Sequence, residues 1–323
     1  MTLERRMVDL LPSVDAELNY LMPMAGRPRN YATEPPPGEP RSNARHEAHK
    51  VKIRDARPIF SQVSLDDNGF ACIEHRSALS RFEDEEKIRS VYYPETEELL
   101  KRATGADRVF IFDHTLRRRI PGFEDRQQGP RQPALRVHID HTAKSGPQRV
   151  RDLLPAEADG LLKGRVQVIN FWRPVHHPVY DAPLAVCDAK TVATADLVPS
   201  DLVYRHRVGE TYAVMYNPTH RWFYLSEMAP DEALLIKCCD SATDRARFTP
   251  DTAFLHPAAP ADAPPRESSE IRAPCVPPPG MGRLTTMPLA GRRRSRLEDG
   301  LCSSASSRSP PTRAAAIREN SSG

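Results

Sequence analysis

The middle of the chain carries short apolar stretches separated by turn-forming residues. Residues 135–140 alternate between apolar and polar side chains, which is typical of a half-buried strand. Other stretches are continuously apolar, as buried strands are. Roughly eight such strands in close succession predict a mainly β fold, an all-β barrel or jelly roll with helical decoration. The predicted strands are 108–113, 135–140, 166–175, 183–189, 211–217, 221–226 and 232–241, with short pieces at 252–255 and 269–273.

Helical patterns are fewer than strand patterns. Apolar residues at helical spacing predict a short amphipathic helix within residues 1–22. Residues 82–104 predict two helices interrupted at Pro94, because proline lacks a backbone donor and tends to end a helix. Gly105 is a suitable C-cap for the second of them. A further helix is predicted around residues 147–162.

Composition divides the chain into three parts. The 32 prolines are uneven, crowding residues 22–40 and the stretch after Pro257. We therefore predict an N-terminal extension over residues 1–50, with the short helix and a proline-rich segment. A β domain is predicted over residues 51–276. Residues 277–323 form a tail rich in proline, serine and arginine, which cannot bury enough apolar surface to fold.

Charge, apolar run length and cysteine content indicate which partners and which cellular location to expect. The net charge is +3, but the tail alone carries eight arginines and three acidic residues, which leaves residues 1–276 at −2. A nucleic-acid partner is therefore not expected, since its basic patch should lie on the folded part. No apolar run approaches the roughly 18 residues that cross a bilayer. The six cysteines form no CxxC pair and favour a reducing, cytoplasmic location. The oligomeric state is unknown.

A motif in the strand at 135–140 offers two metal ligands. Side chains two residues apart in a strand point to one face, so His138 and Asp140 could both reach one metal ion. They supply two thirds of the two-histidine, one-carboxylate set that binds iron(II) with open coordination sites. This spacing alone is a weak signal, because it occurs by chance in many proteins. By the same alternation, His141 faces away from His138 and is interpreted as a supporting or surface group.

A second motif follows near residue 266 and strengthens the interpretation. Arg266 and Ser268 combine a guanidinium fork with a hydroxyl, which suits a carboxylate bound through both oxygens. Arg272 is a second candidate for that role. A jelly-roll oxygenase needs an arginine on its final strand to pair with the far carboxylate of 2-oxoglutarate. The motifs of this chain follow the order that such a fold requires.

Longer segments resemble a family of fungal secondary-metabolism hydroxylases and desaturases. The family includes gibberellin desaturase-like enzymes and is related to the cephalosporin 7α-methoxylase component. The resemblance is collinear over roughly residues 15–274. It implies a cupin-like double-stranded β-helix that uses iron(II), 2-oxoglutarate and O2 to hydroxylate, desaturate or cyclise a small molecule. The segments that carry it include RVFIFDHTLRR (108–118), RVHIDHT (136–142), VINFWRPV (168–175), PDTAFLHP (250–257) and APPRESSEIRA (263–273).

The chain departs from the family pattern at the third metal ligand. Where the family has a histidine in an HTAF-like motif, this chain has Asp251 in DTAF. We interpret Asp251 as occupying the ligand position, with activity reduced or lost. His256 would need a bulge or turn to reach the same place, because five residues of extended strand span about 16 Å. His220 also competes for this role, although it precedes the strand at 232–241, after which the fold expects the ligand.

Three functions are therefore compared. The resemblance favours an iron(II)/2-oxoglutarate-dependent hydroxylase or desaturase of small molecules. A catalytically impaired relative that serves as a binding or scaffold protein is the alternative that Asp251 favours. A jelly-roll metalloenzyme with another metal, such as a hydrolase or isomerase, would work without 2-oxoglutarate or oxygen.

Overall fold

Two β-sheets form the body of the protein. The computed structural model describes residues 8–123 and 131–276, and all of them belong to one unit, Met1–Gly291. The first sheet contains, in spatial order, β1 (Ser13–Leu21), β3 (His46–Asp55), β12 (Trp222–Tyr224), β9 (Leu184–Cys187), β14 (Asp251–Ala253), β7 (His138–Ile139), β11 (Val208–Val214), β10 (Leu197–Val203) and β2 (Arg29–Tyr31). The second contains β4 (Phe70–Glu74), β13 (Glu232–Asp240), β8 (Gln167–Pro174), β15 (Glu267–Val276) and β5 (Arg108–Val109), and β6 (Asp113–Arg118) also pairs with β15. The predicted jelly-roll class is confirmed.

Helices cover the outer face of the second sheet. A helical segment begins with α1 (Glu85–Lys87), passes through a π-helical turn (Ile88–Tyr92) and ends with α2 (Tyr93–Thr104). Pro94 lies in the first turn of α2, directly after the π-helical turn, and the helical segment continues through it, so the predicted interruption at Pro94 is absent. Gly105 caps α2 in the left-handed conformation, as predicted. Two short helices, α3 (Ser145–Leu153) and α4 (Ala158–Leu161), replace the single predicted one.

The predicted N-terminal helix is wrong for residues 13–21, which form β1. Ala16, Leu18 and Tyr20 are buried in every second position, and this is the period of a strand. β1 pairs antiparallel with β3, which itself runs across the predicted boundary at residue 50. Asn19 of β1 also accepts a hydrogen bond from the backbone of Val137, next to the predicted metal motif. The predicted tail, residues 277–323, lies outside the described residues.

Alternation along β8 and β15 separates an outer core from an inner face. Ile169, Phe171 and Ile271 pack against the helices in one hydrophobic cluster. Residues between them point the other way, toward the first sheet, because successive strand side chains alternate. The apolar part of that inner face joins the two sheets through Trp172, Leu234, Ile236, Val186 and Phe223. Polar side chains on the same inner face build the candidate site.

A cluster of buried charges ties β13 to the loop before β4. The Lys237 side chain is fully buried and donates to Asp66 at 3.0 Å and to Asp240 at 2.7 Å. Arg165 also donates to both carboxylates. Burial alone would raise the pKa of Asp66, but the hydrogen bond from Arg165 and the charge of Lys237 hold it below its usual range. The contribution of Asp66 to this cluster is therefore present only while Asp66 is ionised.

Replacing Asp66 with asparagine is expected to lower the free energy of unfolding at pH 7 by about 3 kcal/mol, because it breaks a buried ion cluster. In the unfolded chain Asp66 takes up its proton near pH 4, above its folded pKa. The stabilisation is thus present above pH 4 and lost as the pH falls below it. Urea denaturation at pH 7 and pH 3 should show the difference between parent and variant shrinking at pH 3. The exposed neighbour Asp67→Asn is the control, and an equal difference at both pH values would contradict the account.

Candidate metal and co-substrate site

His138 and Asp140 lie together at the start of the site. Only His138 and Ile139 form β7, and Asp140 follows it directly. His138 Nε2 lies 3.6 Å from Asp140 Oδ1. His138 Nδ1 lies 2.9 Å from the Arg136 carbonyl oxygen, to which it donates, so the Nε2 lone pair remains for a metal. Burial lowers the pKa of His138, which favours this neutral, ligating form.

Asp251 lies beside His138 in the first sheet. The two residues are direct antiparallel partners between β14 and β7, and direct partners project to the same face. The Asp251 side chain is buried. Burial, followed by the negative charges of Asp140 and Glu270, raises the pKa of Asp251 well above its usual value. Asp251 therefore occupies the predicted strand position, where burial and two nearby carboxylates disfavour its charged form.

The three predicted ligands do not form a complete metal group. Within residues 8–123 and 131–276, no three His, Cys, Asp or Glu side chains are arranged to hold a metal ion. The structure thus brings His138 and Asp140 together and places Asp251 next to His138. At residue 251 this chain has an aspartate where the family pattern has a histidine, and the aspartate side chain is the shorter of the two.

Arg272 is fully occupied by carboxylates. It donates to Asp140 at 2.6 Å, to Glu270 at 2.7 Å and to Asp113 at 2.8 Å. Burial alone would raise the pKa of Asp140, but Arg272 and then His138 hold it below its usual range. Arg272 therefore orients a predicted metal ligand and has no fork left for an incoming carboxylate.

Arg266, unlike Arg272, has no carboxylate partner for its side chain among the described residues. Its side chain is 1% exposed, and it donates to the Ala182 carbonyl at 3.0 Å and to Ser268 Oγ at 3.1 and 3.2 Å. Burial lowers its pKa to about 10. A buried guanidinium with only neutral partners is costly, and a bidentate carboxylate ligand would compensate it. This arrangement fits the far carboxylate of 2-oxoglutarate.

Two competing histidines are held elsewhere. His220 Nδ1 lies 3.2 Å from the Tyr20 hydroxyl, and its Nε2 lies 3.1 Å from Asp196. Both ring nitrogens are therefore engaged, which argues against His220 as the third ligand. His256 follows β14, where Nε2 contacts the Tyr224 hydroxyl at 3.4 Å and Nδ1 accepts from the backbone of Ala258.

Several site residues were missed or misinterpreted from the sequence. Arg117 donates to the buried Glu270 at 2.5 Å. Asn170 of β8 donates to Asp140 at 3.4 Å. His141, interpreted as a supporting or surface group, is buried, and burial lowers its pKa to about 4. The period of two that links Ser268, Glu270 and Arg272 was the available signal, because it places all three on one face.

The described residues fit the co-substrate and two of three metal positions. His138 and Asp140 present one nitrogen and one carboxylate, and Arg266 with Ser268 presents a carboxylate site. These groups line the same inner face, because Arg272 of β15 bridges to Asp140. Asp251, the predicted third ligand, would supply an oxygen donor in place of a nitrogen donor.

Comparisons with known proteins agree with this chemistry. A family model described as "Oxidoreductase/YMDC permease-like domain" matches residues 18–276. The chain is 34% identical to the Fe(II)/2-oxoglutarate-dependent dioxygenase nvfI of Aspergillus novofumigatus, over 80% of this chain and 95% of that protein. It is 32% identical to the hydroxylase/desaturase efuI of Hormonema carpetanum, over 81% of this chain and 94% of that protein.

A solved structure of an iron-dependent oxygenase is also similar to this chain. The iron and alpha-ketoglutarate-dependent endoperoxidase NvfI superimposes with a TM-score of 0.74 and 31% identity, over 84% of this chain and 99% of that one. In the part of this chain that the structure describes, no helix is long and apolar enough to span a membrane.

Proposed function

This chain belongs to the fungal family of Fe(II)/2-oxoglutarate-dependent hydroxylases and desaturases, and we propose that it oxidises a small molecule of secondary metabolism at a carbon–hydrogen bond. Family membership confirms the predicted oxygenase class and its use of iron(II), 2-oxoglutarate and O2. The observation that carries the proposal for this chain is Arg266, which is buried on the inner face without a carboxylate partner among the described residues.

In this proposal the metal is held by His138, Asp140 and Asp251. When bound, iron(II) with 2-oxoglutarate would activate O2, the oxidant for removal of hydrogen from the substrate. Arg136 fixes the His138 tautomer through its carbonyl, and Arg272 fixes the Asp140 carboxylate. These contacts orient the ligands before the metal binds.

In this proposal the co-substrate is oriented by Arg266, which directly precedes β15. Arg266 would pair with the far carboxylate of 2-oxoglutarate, and Ser268 holds the guanidinium of Arg266 in place. Glu270, between Arg266 and Arg272 in the sequence, forms an ion pair with Arg117. The pair neutralises both charges and holds this part of the inner face in place. The apolar residues that join the two sheets exclude water from this space.

The location that we propose is the cytoplasm. Cys72, Cys187, Cys238, Cys239 and Cys275 are all buried and free. Unpaired thiols support a reducing compartment, where disulfides rarely persist.

The proposal is tested by following oxygen-dependent conversion of 2-oxoglutarate to succinate by the full chain with Fe(II) and ascorbate. Slow succinate formation without an organic substrate is expected, because this family's chemistry begins with the co-substrate. His138→Gln should abolish it, since a ligand is removed. Equal succinate formation by parent and His138→Gln, or none by either, would refute the assignment.

A further inference from the structure

The indole nitrogen of Trp172 is an unused donor inside the protein. Trp172 is 1% exposed, and no acceptor of the described residues lies within hydrogen-bond reach of its Nε1. Buried indole N–H groups normally find a partner, because leaving one unpaired costs free energy. The only other tryptophan, Trp222, follows this rule by donating to the Tyr20 hydroxyl at 2.7 Å. Trp172 therefore requires a specific explanation.

Trp172 lies between the two ends of the candidate site. The guanidinium carbon of Arg266 lies 4.9 Å from the centre of its ring. On the same face of β8, two residues away, Asn170 donates to Asp140. Across the sheet Trp172 is the direct partner of Glu270, which lies between Ser268 and Arg272. The indole thus borders the space that a ligand bridging Arg266 and the metal ligands would fill.

We propose that Trp172 Nε1–H donates a hydrogen bond to the far carboxylate of 2-oxoglutarate held by Arg266, so that Trp172 is a co-substrate-binding residue. This inference rests on the proposed function. A carboxylate on a guanidinium fork has lone pairs left over, and an indole N–H can donate to one of them. The ring also stacks on Arg266, which positions the fork. The ligand class follows from the site: a dicarboxylate whose second carboxylate reaches Arg266.

The two tryptophans make a direct observation possible. The full chain labelled with 15N-indole tryptophan should give two indole N–H signals, which Trp222→Phe assigns. Adding 2-oxoglutarate with diamagnetic Zn(II) should shift the Trp172 signal downfield, because a new hydrogen bond to a charged acceptor forms. The Trp222 signal should stay in place. Pyruvate, which has no far carboxylate, should leave both signals unchanged.

Matched variants give a second readout. Calorimetric titration should show 2-oxoglutarate affinity falling roughly tenfold to a hundredfold in Trp172→Phe, the range for a lost hydrogen bond to a charged group. Trp222→Phe removes the same atoms from a buried ring elsewhere and should bind like the parent. Pyruvate affinity should be equal in all three proteins. Circular dichroism establishes that each variant is folded.

Failure of the Trp172 contact and failure of the proposed function would give different results. Binding of 2-oxoglutarate by the parent without a shift of the Trp172 signal would overturn the inference and leave the proposed function intact. Equal losses of affinity in both variants would overturn it too, since they would indicate a packing effect. No binding of 2-oxoglutarate by the parent at all would refute the proposed function, and the inference with it.

Discussion

Replacing Asp251 with histidine is expected to increase the affinity for iron(II) by at least on the order of tenfold, since even the residues that support metal ligands change affinity by roughly 10–100-fold. The histidine would supply a neutral nitrogen donor opposite His138 and complete the two-histidine, one-carboxylate set. It would also remove one of three acidic side chains, the others being Asp140 and Glu270, that repel one another in a buried space. Anaerobic titration of Fe(II) by calorimetry measures the gain.

Asp251→Asn is the matched control for that experiment. It has nearly the same shape as Asp251 and removes the negative charge, but it supplies no nitrogen donor of the imidazole kind. If Asp251→His and Asp251→Asn bind Fe(II) equally, relief of repulsion explains the effect and the donor does not. If Asp251→His binds no tighter than the parent, Asp251 does not occupy the third ligand position.

Replacing Arg266 with methionine is expected to weaken 2-oxoglutarate binding on the order of a hundredfold or more, because truncating one partner of a buried charge pair costs roughly 2–5 kcal/mol. Arg266 has no carboxylate among the described residues to release, so the loss should come from the missing ligand contact. Methionine fills much of the space of the arginine stem, which keeps the variant folded. Equilibrium binding of 2-oxoglutarate to parent and variant measures the effect.

Arg118→Gln is the control for Arg266→Met. Arg118 of β6 is about half exposed and forms an ion pair with Glu267 of β15, the residue next to Arg266. Its replacement should leave the affinity for 2-oxoglutarate unchanged. A similar loss in both variants would point to a general change of local charge, and would contradict the assignment of Arg266.

The local sequence pattern predicted the strands that are buried on both faces, and it predicted the helix C-cap that depends on one glycine. β8 and β13 were found because their apolar runs are continuous, and Gly105 because only glycine readily adopts its φ of 68°. β1 was misread because Leu18 and Leu21 also fit a helical spacing, and only pairing with β3 decides between the two periods. β10 was not predicted, since Pro199 interrupts its pattern and its pairing with β11 is what forms it.

The candidate site was predictable to the extent that it depends on neighbours in sequence. His138 with Asp140, and Arg266 with Ser268, are each two residues apart, and both pairs lie together in the structure. The bond from Arg272 to Asp140 joins residues 132 positions apart, so it depends on strand register that no local pattern carries. The sequence therefore left Arg272 as a second candidate beside Arg266, whereas the three carboxylate partners of Arg272 favour Arg266.

The most direct test of the central claim is an anaerobic titration of the native full chain with Fe(II), with and without 2-oxoglutarate, watching for the weak visible charge-transfer band of the chelate. The account predicts that the band forms in the native chain and saturates at lower Fe(II) in Asp251→His. A native chain without the band would contradict the proposed function. Its absence from both proteins would contradict the assignment of His138 and Asp140 as iron ligands as well.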